Sequence, residues 1–259
     1  MPYYKLLLLA IPIGLLLFLF WRIWVWRKKP KLVDFSETWK AILYQEVAFY
    51  GGLDAAEKVR FENEILYFLN HVTITGVEIS IDDVDRLLVA SSAVIPLFGF
   101  PELRYRNINE VLLYKDSFNE EHQTEGKERN ILGKVGSGGM HRLMILSLPA
   151  LKAGFEVKNS KNNVGIHEFV HLIDKADGAV DGLPEALLEK QYVLPWLQLM
   201  HQEILKIKAH DSDINPYGAT SQVEFLSVVS EYFFNQPQRF KEKHPDLYAL
   251  MEKMYRQKL

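Results

Sequence analysis

Val164-Gly165-Ile166-His167-Glu168-Phe169-Val170-His171-Leu172-Ile173-Asp174 reads as one helix, apolar apart from His167, Glu168, His171 and Asp174. On such a helix His167 and His171 stand one turn apart, with imidazoles leaving the same face about 6 Å from each other, close enough to share a metal ion. Glu168 lies about 100° further round and can reach a water held by that ion. Zinc takes neutral imidazole nitrogen at about 2.0–2.1 Å, and a reactive site keeps one coordination position open. Glu168 then suits the role of general base while the ion polarises a carbonyl. The pattern H-E-x-x-H is short, and by chance it marks two packed or solvated histidines beside a surface glutamate. Here the apolar neighbours predict a buried helix, where a carboxylate between two imidazoles is costly without a bound cation.

Working outward, the 259 residues allow one large or two small domains with ample core material. A net charge of −3 gives no footprint for nucleic acid. The chain has no cysteine, so disulfides and thiolate ligands are excluded and any metal rests on His, Asp or Glu. Leu6 to Phe20 is entirely apolar or small, and Trp21, Ile23, Trp24, Val25 and Trp26 extend it to spanning length. Arg22 can snorkel, and the three tryptophans form half of an aromatic belt. Arg27, Lys28, Lys29 and Lys31 follow the run instead of preceding it, which argues for an uncleaved anchor. Residues 1–30 are therefore expected to be a transmembrane anchor with a basic flank, lodged in the lipid bilayer through residues 5–26. By the positive-inside rule Met1 lies outside and residues 31–259, the soluble domain, face the cytoplasm.

After the anchor, an amphipathic helix through Trp39, Ile42, Leu43, Val47 and Phe49/Tyr50 closes at Gly51-Gly52, and Asp54 caps a second whose buried stripe is expected to be Val59, Phe61, Ile65, Leu66, Phe68 and Leu69. Val77, Ile79 and Ile81 alternate with polar residues as a short strand before a helix of Val84 to Ala93. Val111 to Tyr114 reads as a strand, and Lys115 to Gly139 as a polar loop, either solvated or the rim of a site. Met144 to Leu148 reads as a strand: either an edge that aligns substrate by strand addition, or a core strand. Glu185 to Lys208 reads as a long helix interrupted by Pro195, and a helix from Ser221 ends at Pro237. A last helix runs from Pro245 to about Arg256, and no internal repeat is visible.

Two histidines hold zinc poorly, so a third ligand is needed. His71, His122, His141, His201, His210 and His244 lie in polar or amphipathic settings and read as solvated or capping residues. Glu224 and Glu231 are seven apart, on one face of an otherwise apolar helix. Ser221-x-x-Glu224 also reads as a capping box, and Glu231 as an acceptor behind a ligand histidine or a plain ion pair. Spacing alone leaves the two open.

His167 to Asp174, then Asn215-Pro216-Tyr217-Gly218-Ala219-Thr220-Ser221-x-x-Glu224-Phe225 and Ser230-Glu231-Tyr232-Phe233-Phe234, resemble the Mlc titration factor A family of zinc peptidases, from about Trp39 to the end. The resemblance implies a gluzincin-like fold related to the anthrax lethal factor catalytic domain. It implies one Zn2+ per chain on His167, His171 and Glu224. It also makes Glu168 the base and Tyr217 a stabiliser of the oxyanion, against the alternative of a loop aromatic packed on the core. Asp174, one turn beyond His171, either orients a ligand imidazole or is a solvated helix-end acid. Family members are typically soluble, so the anchor is a departure. Binding of the repressor Mlc belongs to enterobacterial members and is not carried over. The expectation is an α+β, mainly helical zincin-like metallopeptidase domain with a small sheet behind one transmembrane helix, hydrolysing peptides or proteins. The alternative is a domain of the same fold that sequesters a regulatory protein, with vestigial activity.

Overall fold

The computed structural model describes residues 35–125, 129–136, 141–156 and 160–259. The anchor and flank expected at 1–30 lie outside the described residues; among those described, no helix is long and apolar enough to cross a membrane. The described helices and strands all belong to one unit, Ser36–Leu259.

Helix α1 (Glu37–Glu46) starts at Ser36, whose hydroxyl accepts the Trp39 amide. The helix expected to continue to Tyr50 breaks at Val47, which is extended, and α2 (Ala48–Gly52) follows. Asp54 and Glu57 form a reciprocal capping box for α3 (Ala55–His71), which buries Phe61, Ile65 and Phe68 of the expected stripe but leaves Val59 exposed. Strand β1 is Thr73–Val77, earlier than the alternation at Val77 to Ile81 suggests. The β-branched Thr73, Ile74 and Thr75 carry it, and the chain then doubles back so closely that a Cβ on Gly76 would sit 2.4 Å from the Ile79 carbonyl. Asp82 and Asp85 box the start of α4 (Asp83–Leu97), which is buried from Leu87 to Pro96.

Strands β2 (Ile108–Tyr114), β3 (Gly133–Val135) and β4 (Arg142–Ser147) follow. They lead into α5 (Leu148–Glu156), which the apolar pattern does not announce, and α6 (Val164–Asp174). The next helix, α7 (Lys190–Lys208), starts later than Glu185 because Pro184 opens a separate turn, accepting the Leu188 amide at 3.0 Å, and it runs through Pro195 without the expected interruption. Helices α8 (Gln222–Asn235), α9 (Pro237–Lys243) and α10 (Pro245–Tyr255) close the chain.

The sheet has the order β1-β2-β4-β3. β1 and β2 run parallel with Ile74 opposite Val111, β2 and β4 parallel with Leu112 opposite Ile145, and β3 antiparallel to β4 with Gly133 opposite Leu146. The strand considered for a substrate edge, β4, is thus an inner strand, paired on both sides and buried from Met144 to Ser147. The edge is β3, inside the stretch read as a polar loop, and it packs on α6. The fold is α+β and mainly helical, with α6 held between α4 and α8. Close approach to α4 depends on Gly165, where a Cβ would lie 2.1 Å from Ser92 Oγ. That hydroxyl is itself turned onto the Leu88 carbonyl, at 2.9 Å.

Candidate metal centre

Helix α6 begins at Asn163, whose side chain accepts the Ile166 amide at 3.0 Å while its own amide group donates to the Gly154 carbonyl. One turn in, His167 and His171 point their Nε2 atoms at each other, 3.0 Å apart. Helix α8 supplies the third group. Ser221 caps its start by accepting the Glu224 amide, but the Glu224 carboxylate turns to the histidines, with Oε2 3.0 Å from His167 Nε2 and 3.5 Å from His171 Nε2. A tetrahedral ion with bonds of about 2.0–2.1 Å keeps its donors about 3.3 Å apart. The three separations match one face of such a tetrahedron, so His167, His171 and Glu224 form a cluster that can hold a metal ion.

The outer ring nitrogens are already engaged. Glu231, one helical repeat beyond Glu224, accepts from His167 Nδ1 at 2.7 Å with one oxygen and from the Asn163 backbone amide with the other. Ser227 Oγ lies 3.2 Å from His171 Nδ1. These contacts fix both rings with Nε2 inward and tie α8 to the start of α6. Sequence reading did not single out Ser227 or Asn163. The signals were present: Ser227 shares the face of Glu224 and Glu231, and Asn163 precedes an apolar run, the place of an N-cap.

Glu168 is buried, and burial pushes its carboxyl up while His167 and His171 pull it back. Burial also disfavours a charged His167, but Glu231 and Glu224 outweigh it and raise its pKa to about 10. Glu224 is held down to about 2, because the histidines overcome its burial. Three carboxylates around two imidazoles make a field suited to a dication. Tyr217, in the 3-10 turn Pro216–Ala219, sets its ring 6.0 Å from that of His167. Partial burial, with Glu224 and Glu168 near, raises its phenol above the usual value.

Asp174 is neither solvated nor bonded to an imidazole: it is fully buried, and its Oδ2 accepts the Gly182 amide at 3.2 Å. Gly182, at φ +77°, passes so close to the first turn of α8 that a Cβ would sit 2.4 Å from the Gln222 carbonyl. Asp174 therefore serves the docking of the loop that carries the chain back past Glu224. His244, read as solvated or capping, has its side chain buried between Glu203 Oε2 at 3.2 Å and Asp213 Oδ1 at 2.9 Å.

The family model described as glucose-regulated metallo-peptidase M90 matches residues 21–256. An uncharacterised protein of Synechocystis sp. is 27% identical over 242 residues, covering 89% of this chain and 88% of its own. Mlc titration factor A of Pectobacterium atrosepticum is 25% identical over 251 residues, covering 90% and 91%. That of Serratia proteamaculans is 24% identical over 258 residues, covering 90% and 92%.

Proposed function

The chain belongs to the glucose-regulated metallo-peptidase M90 family, and from that premise we propose that it is a zinc-dependent peptidase, anchored in a membrane through residues 5–26 with its catalytic domain, within 31–259, in the cytoplasm. The observation that carries the reading is the triangle of donor atoms at 3.0, 3.0 and 3.5 Å beside a buried glutamate. His167, His171 and Glu224 hold the ion, which when bound supplies Lewis-acid polarisation of the scissile carbonyl and of the attacking water. Glu168 takes the proton of that water as it adds to the carbonyl carbon, and its upward-shifted carboxyl then passes the proton to the leaving amine. Tyr217 donates its hydroxyl to the oxyanion that develops, and Glu231 and Ser227 keep the imidazoles aimed.

Edge strand β3 supports a route for the substrate. Ser147 N–H donates to Leu132 O and Gly136 N–H to Leu143 O, both at 2.8 Å. Antiparallel alternation then turns the N–H and C=O of Gly133 and Val135 away from β4, toward the outer edge, which among the described residues is paired only at Ile131, with Phe118. An extended peptide adding there would run past Glu168.

The test is elemental analysis of the full-length chain together with a peptide-library screen. About one zinc per chain and cleavage are expected, with Glu168→Gln keeping the metal and losing nearly all turnover. Zinc loss in that variant, or unchanged turnover, rejects the assignment of the base. A second reading, sequestration of a regulatory protein, is favoured by the names of the relatives. Equal capture of a regulator by wild type and Glu168→Gln, without detectable cleavage, would select it. Because the chain has no cysteine, one cysteine introduced at exposed His201 and probed with an impermeant thiol reagent in intact cells reports the side of the membrane. Protection is expected, and labelling overturns the cytoplasmic placement.

A further inference from the structure

We propose that Gly133 is a positioning residue for Glu168: the missing side chain at this place on β3 leaves the space in which the Glu168 carboxylate lies. A Cβ built on Gly133 would sit 2.7 Å from both Glu168 Cγ and Glu168 Oε1, and 2.8 Å from Val164 Cγ2. Such separations are well inside van der Waals contact, so something must move. What moves distinguishes this glycine from the others. At Gly99 the obstacle is the Tyr255 carbonyl at 2.1 Å, at Gly182 the Gln222 carbonyl at 2.4 Å, and at Gly165 the pinned Ser92 hydroxyl at 2.1 Å. Backbone and locked side chains cannot give way, so alanine there would push elements apart. Gly133 instead faces Cγ and Oε1 of the Glu168 side chain, which can turn as a whole about its Cα–Cβ bond, with a valine methyl as its other close neighbour. Alanine at 133 is accommodated by swinging the Glu168 carboxylate aside, at little expense to the fold. The cost falls on the reaction.

The position also matters for what lies on the other side of the strand. Gly133, like Val135, turns its backbone groups to the outer edge of β3, so the same residue that lets the base approach would hold the peptide being cleaved. One residue thereby sets the distance between base and substrate backbone. A base displaced by about 1 Å loses on the order of a hundredfold in rate.

The kinetic half of this inference rests on the peptidase reading; the structural half does not. The test uses the full-length chain as wild type, Gly133→Ala, Glu168→Gln and the double variant. Expected for Gly133→Ala are unchanged zinc content, a Tm within about 2 °C of wild type, KM within about twofold, and kcat lowered about a hundredfold. In the Glu168→Gln background the alanine should cause no further loss of kcat, since the group it displaces no longer acts. Wild-type kcat in Gly133→Ala, loss of zinc, a Tm drop beyond about 5 °C or an additive loss in the double variant would each overturn the proposal. If the wild type cleaves nothing, the peptidase reading fails and crystal structures decide this one. A displaced Glu168 carboxylate with β3 and α6 backbones in place supports it, and a shifted β3 with Glu168 unmoved overturns it.

Discussion

Glu224 and Glu231 show what a sequence can and cannot say about one residue. A separation of seven gives both the same azimuth on α8, so periodicity places both on the core face and cannot rank them. They differ by about 10.5 Å along the axis, and what ranks them is where α6 crosses α8, a tertiary quantity. The crossing brings Glu224 to both Nε2 atoms and Glu231 to the Nδ1 of His167. Removing one or the other should therefore have unlike effects. Glu224→Ala deletes one of three donors and should abolish stoichiometric zinc. Glu231→Gln keeps the donors but loses a charged acceptor behind His167 and should weaken zinc about 10- to 100-fold, read by competition with a chromophoric chelator. Equal affinity of Glu231→Gln and wild type would show that the aim of the ring does not depend on this contact. Tyr217 belongs to the same scale: Tyr217→Phe should retain zinc and lower kcat about 10- to 100-fold with KM little changed.

At the scale of elements, long amphipathic runs were legible because their period is local, as in α3 and α4, and so was the helix under His167 and His171. Short strands were not. β3 has three residues in a polar stretch, and it is a strand only because β4 offers a partner whose register is set elsewhere. Its exchange with β4 as the edge moved the expected substrate strand onto Gly133. The contact of α6 with α4 was likewise invisible, since nothing in the sequence pairs Gly165 with Ser92. It can be tested: Gly165→Ala forces a Cβ against a hydroxyl that cannot turn away, and overpacking of this kind costs about 1–3 kcal/mol. At this size that is about 2–12 °C in Tm. Adding Ser92→Gly removes both Ser92 atoms in the way, at 2.1 and 2.8 Å, and should restore part of the loss in thermal melts at saturating zinc. An additive drop in the double variant would place the strain elsewhere.

At the scale of the whole molecule, the second half of the chain is drawn together at His244, whose neighbours Lys243 and Pro245 make it look like a surface turn. Its partners are remote in sequence: Glu203 from α7 and Asp213 from the loop before Tyr217. Asp213 in turn meets Lys161 ahead of α6, Tyr232 of α8 and Arg239 of α9, while Lys206 pairs with Glu203. The network thus fastens the segment entering α6 to the segment entering the Tyr217 turn, and Asn215 adds a bond to Asn162 at 3.2 Å. Its pH dependence follows from linkage. Burial opposes charge at His244, but Glu203 and Asp213 outweigh it and raise its pKa above 6.5. The stabilisation is full below about pH 6.5 and is lost as pH rises through the folded value. Burial likewise opposes Asp213, yet His244, Tyr232 and Lys161 hold it at about 2 against an ordinary 3.8, and Glu203 is also lowered. Those contributions are full above the ordinary carboxylate range and fade as pH falls below it. The network therefore supports the fold most between about pH 4.5 and 6.5. His244→Gln should cost about 2 kcal/mol there, and the gap in Tm to wild type should narrow as pH climbs toward 10. Thermal melts of both proteins from pH 5 to pH 10 at saturating zinc measure it. A gap that stays constant across that range would mean that His244 acts by shape alone and carries no charge in the folded state.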